Sequence, residues 1–143
     1  MSTIDKFIEK LAIRLKRTPS PGLVTSADIS NAQRILGFSL PPSYLKLITT
    51  CSFNDVPHFV YWLGKDVPQG IELLYINKIA PVPPFLIAVS GDGGGDEFCF
   101  DTREIDDAGE YPIVRVDHET QNEDSTTFEQ VSPNLGAFLL ELL

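Results

Sequence analysis

The sequence predicts an α+β fold: a mainly antiparallel central sheet, helices before it and one helix after it, packed on its surface. Three observations lead there. Apolar residues recur at helical spacing before residue 50 and again after residue 134. The middle of the chain breaks into short β-like runs. Glycines and prolines separate those runs.

Ile4, Phe7, Ile8, Leu11, Ala12 and Leu15 form one apolar stripe of a first helix. Ser2 or Thr3 can cap it, and Asp5 near its start and Lys16-Arg17 near its end suit the helix dipole. Pro19, Pro21 and Gly22 end it. A second helix runs from Ser26 or Ala27 to Leu36, with Ile29, Ala32, Ile35 and Leu36 inward and Gly37 as its terminal glycine. Pro41 or Pro42 opens a third, which carries Tyr44, Leu45, Leu47 and Ile48 to about Thr50. Residues 52–58 read as a loop. Phe59 to Leu63 is a strand candidate ended by Gly64, and Ile71 to Ile79 reads as another strand or extended segment. Pro81, Pro83 and Pro84 interrupt pairing before a Phe85–Val89 strand. Phe98 and Phe100 alternate with Cys99 and Asp101, the period of a half-buried strand. Residues 102–110 form an acidic loop, Pro112 to Asp117 a strand with Val114 and Val116 on one face, and 118–125 a polar loop. Ser132 reads as the cap and Pro133 as the first residue of the closing helix, whose Leu135, Phe138, Leu139 and Leu142 dock on the core. With no internal repeat, linker or low-complexity tract, one domain over residues 1–143 is expected.

Between Ser90 and Glu97 stand four glycines and two aspartates, flanked by β-like runs. Strand, glycine turn, strand is a hairpin. A phosphate cradle needs a helix after the glycines, because a helix N-terminus supplies the anion-binding amides. Here a strand follows, and no Lys-Ser/Thr pair closes the loop. Gly94 to Phe98 also spells GGDEF, the string of diguanylate cyclases. That chemistry needs further metal ligands on an upstream strand and basic residues for a triphosphate. Before residue 81 the acids are Asp5, Glu9, Asp28, Asp55, Asp66 and Glu72, spread singly. The string thus stands without its context.

Composition narrows the classes further. Hydrophobic content of 43% and charged content of 22% are ordinary for a globular domain. No apolar run approaches the roughly 20 residues that span a bilayer, and an early-charged N-terminus argues against a leader. Cys51 and Cys99 show no metal or redox spacing, so two buried thiols in a reducing cytoplasm are expected. Net charge is −9, and residues 92–124 carry twelve of the twenty acids against Arg103 and Arg115. Such a surface repels nucleic acid and anionic membranes and attracts a basic protein. Asp117-His118-Glu119 does not make a metal site, since His58 is the only other histidine. No GxSxG surrounds Ser90, and the spacing of Asp92, Asp96, Glu97 and Asp101 matches no calcium loop. No catalytic, cofactor or metal residue is therefore expected. Trp62, the single tryptophan, is read as core or as an interface anchor.

The order of these pieces resembles a known family. Ile35-Leu36-Gly37 ends a helix, Leu40-Pro41 leads Tyr44 and Leu45 into the next, Gly91 to Phe98 forms the glycine-aspartate hairpin with Asp101 after it, and Pro112-Ile113 precedes a short strand. Over residues 26–142 this is similar to the SUKH superfamily, in its SMI/KNR-type branch. One departure is the Cys51-Ser52-Phe53-Asn54-Asp55 segment, where many members have an Asn-Gly turn. The resemblance implies a non-catalytic α+β domain. Bacterial members are mostly cytosolic immunity proteins that bind a cognate toxin, often a nuclease; eukaryotic members are regulators or scaffolds of cell-wall signalling. The expectation is thus an immunity protein that binds a basic, nuclease-type toxin, without cofactor, nucleic-acid or membrane partner. A regulatory scaffold without a toxin is the alternative, and a GGDEF-type cyclase a remote one. The expected contact face is acidic: Asp92, Asp96, Glu97, Glu104, Asp106, Asp107 and Glu110.

Overall fold

The computed structural model describes residues 2–56, 60–117 and 128–143. Three helices come first: α1 (Thr3–Leu15), α2 (Ser26–Leu36) and α3 (Pro42–Thr50). A 3₁₀ turn (Gln69–Ile71) and α4 (Leu73–Ile79) lead into β1 (Leu86–Gly91) and β2 (Glu97–Asp101). β3 (Ile113–Val116), β4 (Glu129–Ser132) and α5 (Leu135–Leu142) follow. The strands lie in the order β1-β2-β3-β4, every neighbouring pair antiparallel. The fold is α+β, as the sequence predicts.

Local chemistry sets most helix ends where expected. Ser2 caps α1, its Oγ accepting from Asp5 N at 3.3 Å, and Lys16 closes it in the left-handed region at φ 58°. Thr25 and Asp28 form a reciprocal capping box at the start of α2, and Gly37 ends it at φ 82°, a conformation that favours glycine. Ile35, expected inward, is 55% exposed; Ala32 carries the buried face instead. α5 is capped by Asn134, whose Oδ1 accepts from Ala137 N at 2.8 Å. Ser132, expected as that cap, is the last residue of β4 and pairs with Ile113.

The middle of the chain departs most. The 59–63 segment is not a strand among its described residues: Val60 makes an isolated antiparallel bridge to Ser90, and Trp62 a parallel one to Glu72. Phe59 lies outside the described residues, as do His58, His118, Glu119 and the 118–125 loop. Residues 73–79 are helical rather than extended. Glu72 caps that helix by accepting from Tyr75 N at 2.7 Å. α4 then presents Asn77 to the outer edge of β1, where its amide copies a strand: Nδ2 donates to Ala88 O at 2.9 Å and Ala88 N donates to Oδ1 at 2.7 Å. β4 gives little sequence signal because Glu129 and Gln130 are exposed.

Phe7 and Leu11 of α1, Tyr44, Leu47 and Ile48 of α3, Phe100 of β2, Ile113 of β3 and Leu135 and Leu139 of α5 meet in one core cluster. Phe98 and Phe100 share one face of β2. Phe100 meets Tyr44 edge to face at 6.0 Å, and Phe98 lies 5.0 Å from the Phe138 ring. Cys51 and Cys99 are both buried free thiols. Burial pushes Cys51 up to about 11 and raises Cys99 also, so both stay protonated.

α1 and α5 meet most tightly at Gly136. A Cβ there would press on Thr3 Oγ1 and come within 2.5 Å of the Ile4 backbone nitrogen. Backbone cannot retreat as a flexible side chain would. Gly136→Ala is expected to destabilise the fold by about 3 kcal/mol. A denaturant midpoint that falls at unchanged slope would register it; an unchanged midpoint would contradict the close approach.

Candidate functional site

The glycine hairpin is built as the sequence suggests. β1 and β2 pair from Leu86↔Asp101 to Gly91↔Glu97, with a bulge between Ala88 and Ser90. Gly93 and Gly95 turn the chain at φ 82° and 107°. Asp92 Oδ1 accepts from Gly94 N at 2.7 Å and from Asp96 N at 3.2 Å, so this carboxylate organises the turn from within. Gly91 is required for another reason: a Cβ there would meet Tyr61 Oη at 2.6 Å. That hydroxyl donates to Glu97 Oε2 at 2.7 Å. Burial, together with the charge of Asp92, holds the Glu97 carboxyl above its usual range, although the Tyr61 bond acts in the opposite direction. Burial and Glu97 push the Tyr61 hydroxyl well up.

The second acidic segment connects β2 to β3. Asp106 Oδ1 accepts from the backbone amides of Ala108 and Glu110, both at 2.9 Å, and Gly109 turns at φ 82°. This brings Glu110 against the start of α3. Pro41 precedes that helix and supplies no side-chain cap. Glu110 supplies it from a distant part of the chain: its carboxylate accepts from Ser43 N at 2.9 Å and from Ser43 Oγ. Before the loop, Asp101 is buried and takes both Nε and Nη2 of Arg103, each at 3.0 Å. The Arg103 guanidinium lies 4.1 Å from the Phe85 ring centre.

A model of the SMI1 / KNR4 family (SUKH-1) matches residues 23–141. The chain belongs to this family. No curated protein matches it closely enough to count as a relative. The SMI1/KNR4 segment that departs from the usual Asn-Gly turn is closed by Asp55, which is 2% exposed. Asp55 accepts from Ser52 N at 3.0 Å and Ser20 N at 3.1 Å, and pairs with Arg17 Nη2 at 2.6 Å. Burial works against its charge, but these bonds together hold the carboxyl below its usual range.

The expected contact residues of this SUKH-1 chain thus fall into two groups. Asp92, Asp96 and Glu97 stand at the tip end of β2; Glu104, Asp106, Asp107 and Glu110 stand at the other end. The five residues of β2, a span of about 13 Å at the usual strand rise, lie between the two groups. Glu97 and Glu110 are half-buried and turned to Tyr61 and Ser43, while Glu104 and Asp107 are exposed. Tyr61 and Ser43 carried no local sequence signal for these roles, because their partners lie far along the chain, and Asp55 has one near partner in Ser52 but takes Arg17 and Ser20 from far upstream. Among the described residues, no group of three or more His, Cys, Asp or Glu side chains converges as metal ligands would, and no helix is long and apolar enough to cross a membrane.

Two measurements separate internal acids from surface ones. Glu110→Ala is expected to lower stability by about 1–2 kcal/mol, the usual worth of a helix cap, whereas Asp107→Ala leaves the unfolding midpoint in place. Glu97 predicts a pH effect of known sign. Its folded pKa lies above the reference 4.5, so its contribution is complete below 4.5 and is lost as pH rises through the raised folded value. Glu97→Gln keeps an acceptor for Tyr61 and has no such loss. The stability of the variant relative to the native chain should therefore increase from pH 4 to pH 7 in thermal melts; a constant difference would contradict the assignment.

Proposed function

We propose that this SMI1/KNR4 protein works by binding another protein without catalysis, as an immunity protein that neutralises a basic, nuclease-type toxin. The observation that carries the reading is what the hairpin carboxylates do. Asp92 holds the turn amides and Glu97 accepts from Tyr61, so the glycine-rich string builds a hydrogen-bonded bend in the backbone. A GGDEF-type role would instead ask these acids to face a cation and a triphosphate. The charge supports the partner chemistry. Residues 92–124 hold most of the acidic excess, and exposed Glu104, Asp107 and Asp92 extend it into solvent at both ends of β2. A nuclease domain that grips phosphates is complementary to such a surface, which repels nucleic acid itself.

The test is co-expression with the product of the adjacent reading frame. The proposal expects co-purification and restored growth of cells that express that product. Neither result appearing, while the protein turns GTP over with Mg²⁺, would replace this reading with the cyclase. Within a recovered complex, the paired reversal Glu104→Lys/Asp107→Lys should slow association about tenfold at low salt and much less at high salt. Its melting temperature should not move. Association unchanged at low salt would remove this end of β2 from the contact face.

A further inference from the structure

A groove of about 450 Å³ opens between the end of α2, the helix α4 and the segment that leads into β1. α2 contributes Ile35 and Leu36, α4 contributes Leu74, Tyr75 and Lys78, and the connecting segment contributes Val82, Pro83 and Pro84. Leu86 and Ile87, both buried, complete the lining from β1. Asn77 also lines the groove, but its carboxamide is already committed: Nδ2 donates to Leu73 O and Ala88 O, each at 2.9 Å, and Oδ1 accepts from Ala88 N.

Two features make this groove receptive. The first is uncovered apolar surface. Ile35 stands three residues from the fully buried Ala32 of α2, yet it is 55% exposed, and Tyr75 is 36% exposed. Covering such side chains removes apolar surface from water and favours an apolar occupant. The second is charge. Among the described residues Lys78 is the one charged side chain in the lining. It is exposed, and the ion pairs among those residues join other groups. Arg34 precedes Ile35 in the last turn of α2 and donates to the uncharged Asn31 side chain at 2.7 Å. Glu72, the acid at the start of α4, is turned to its helix cap on Tyr75 N. The lining thus carries one positive charge and no negative one, in a chain whose net charge is −9.

We propose that this groove binds a small aliphatic carboxylate, whose chain covers Ile35, Leu74, Tyr75 and Val82 and whose carboxylate pairs with Lys78. A volume of this size suits a single small molecule. A stable protein partner would engage about 20–30 residues, far more than line the groove. The flexible stem of a lysine lets its ammonium follow a ligand headgroup. A cationic ligand would meet Lys78 with no acid in the lining to pair with. The negative field of the whole chain opposes an anion at long range, but salt screens it beyond about 10 Å, so the contact decides. This inference does not rest on the toxin reading, and its failure would leave that reading untouched, because none of the acids of the expected contact face lines the groove.

The test is a titration of the full-length protein at neutral pH with octanoate, with octanamide as its uncharged counterpart and with octylamine as the cationic one. Calorimetry reads affinity, and the methyl resonances of Ile35, Leu74 and Val82 read location. The expected result is saturable octanoate binding that shifts those methyls, with octanamide at least about threefold weaker, as for one solvent-accessible ion pair, and octylamine weaker again. Lys78→Gln should bring octanoate down to the level of octanamide and leave octanamide binding unchanged. Ile35→Glu places a carboxylate on the apolar wall and should weaken octanoate at least about tenfold. Both positions are exposed, so the melting temperature should stay in place. Should Ile35→Glu lose the fold, Lys78→Gln carries the test alone. The absence of saturable octanoate binding, equal binding of octanamide, methyl shifts confined to residues outside the groove, or a folded Lys78→Gln variant that keeps the preference for octanoate would overturn the proposal.

Discussion

The outer edge of β1 is the constraint on which the rest of the structure depends. Leu86, Ile87, Ala88 and Val89 are all buried, yet β1 is an edge strand of the sheet. Its outward backbone groups are withdrawn from water and must be met by protein. Asn77 meets those of Ala88, and Tyr61 N meets Val89 O at 2.8 Å. These bonds fix α4 and the 60–62 segment against the sheet. The position of Tyr61 then follows, and with it the contact to Glu97 and the requirement for glycine at 91. The position of Trp62 follows in the same way.

This edge also explains what the sequence could and could not reveal. α1, α2 and α3 were legible because their signals are local: an apolar stripe, a cap within three residues, a terminal glycine or an opening proline. The hairpin was legible because glycines and an aspartate shape it from inside. Residues 71–79 were not. Ile71, Tyr75, Ile76 and Ile79 are residues of strand preference, and only Leu73 of α4 is fully buried. What makes the segment helical is the Glu72 cap and the need of Ala88, eleven residues from Asn77, for an amide partner. β4 was silent for a related reason: an exposed edge strand needs few apolar residues, and its identity comes from pairing with β3. Asn134 took the cap of α5 from Ser132 because pairing with Ile113 commits Ser132 to the sheet.

The acidic residues show the same limit in the candidate site. Formal charge is read directly from sequence, but availability is not. Glu110 and Asp107 look alike in the 102–110 stretch, yet one caps α3 through Ser43 and the other is exposed. Glu97 looks like a member of a charged string, yet Tyr61 holds it from across the fold. Each distinction depends on a partner 36 or 67 residues away. A net charge of −9 therefore bounds the long-range field of the molecule without naming the groups that would touch a partner.

Field and contact do different work in recognition. An acidic surface raises the rate of encounter with any basic protein, and salt weakens that gain because exposed charges are screened. It discriminates poorly among basic partners, since the field of several carboxylates carries little shape. Discrimination comes from desolvated, shape-dependent contacts, where a wrong group leaves a buried donor unpaired. The acids stand at both ends of β2, whereas among the described residues the buried side-chain donor without an acceptor belongs to Trp62, beside cavity walls, the Ser20–Val24 and Ser52–Asn54 segments, tied by Asp55. The Asp55 carboxylate is held ionised by Arg17 and by two backbone amides, so those walls keep their geometry at neutral pH.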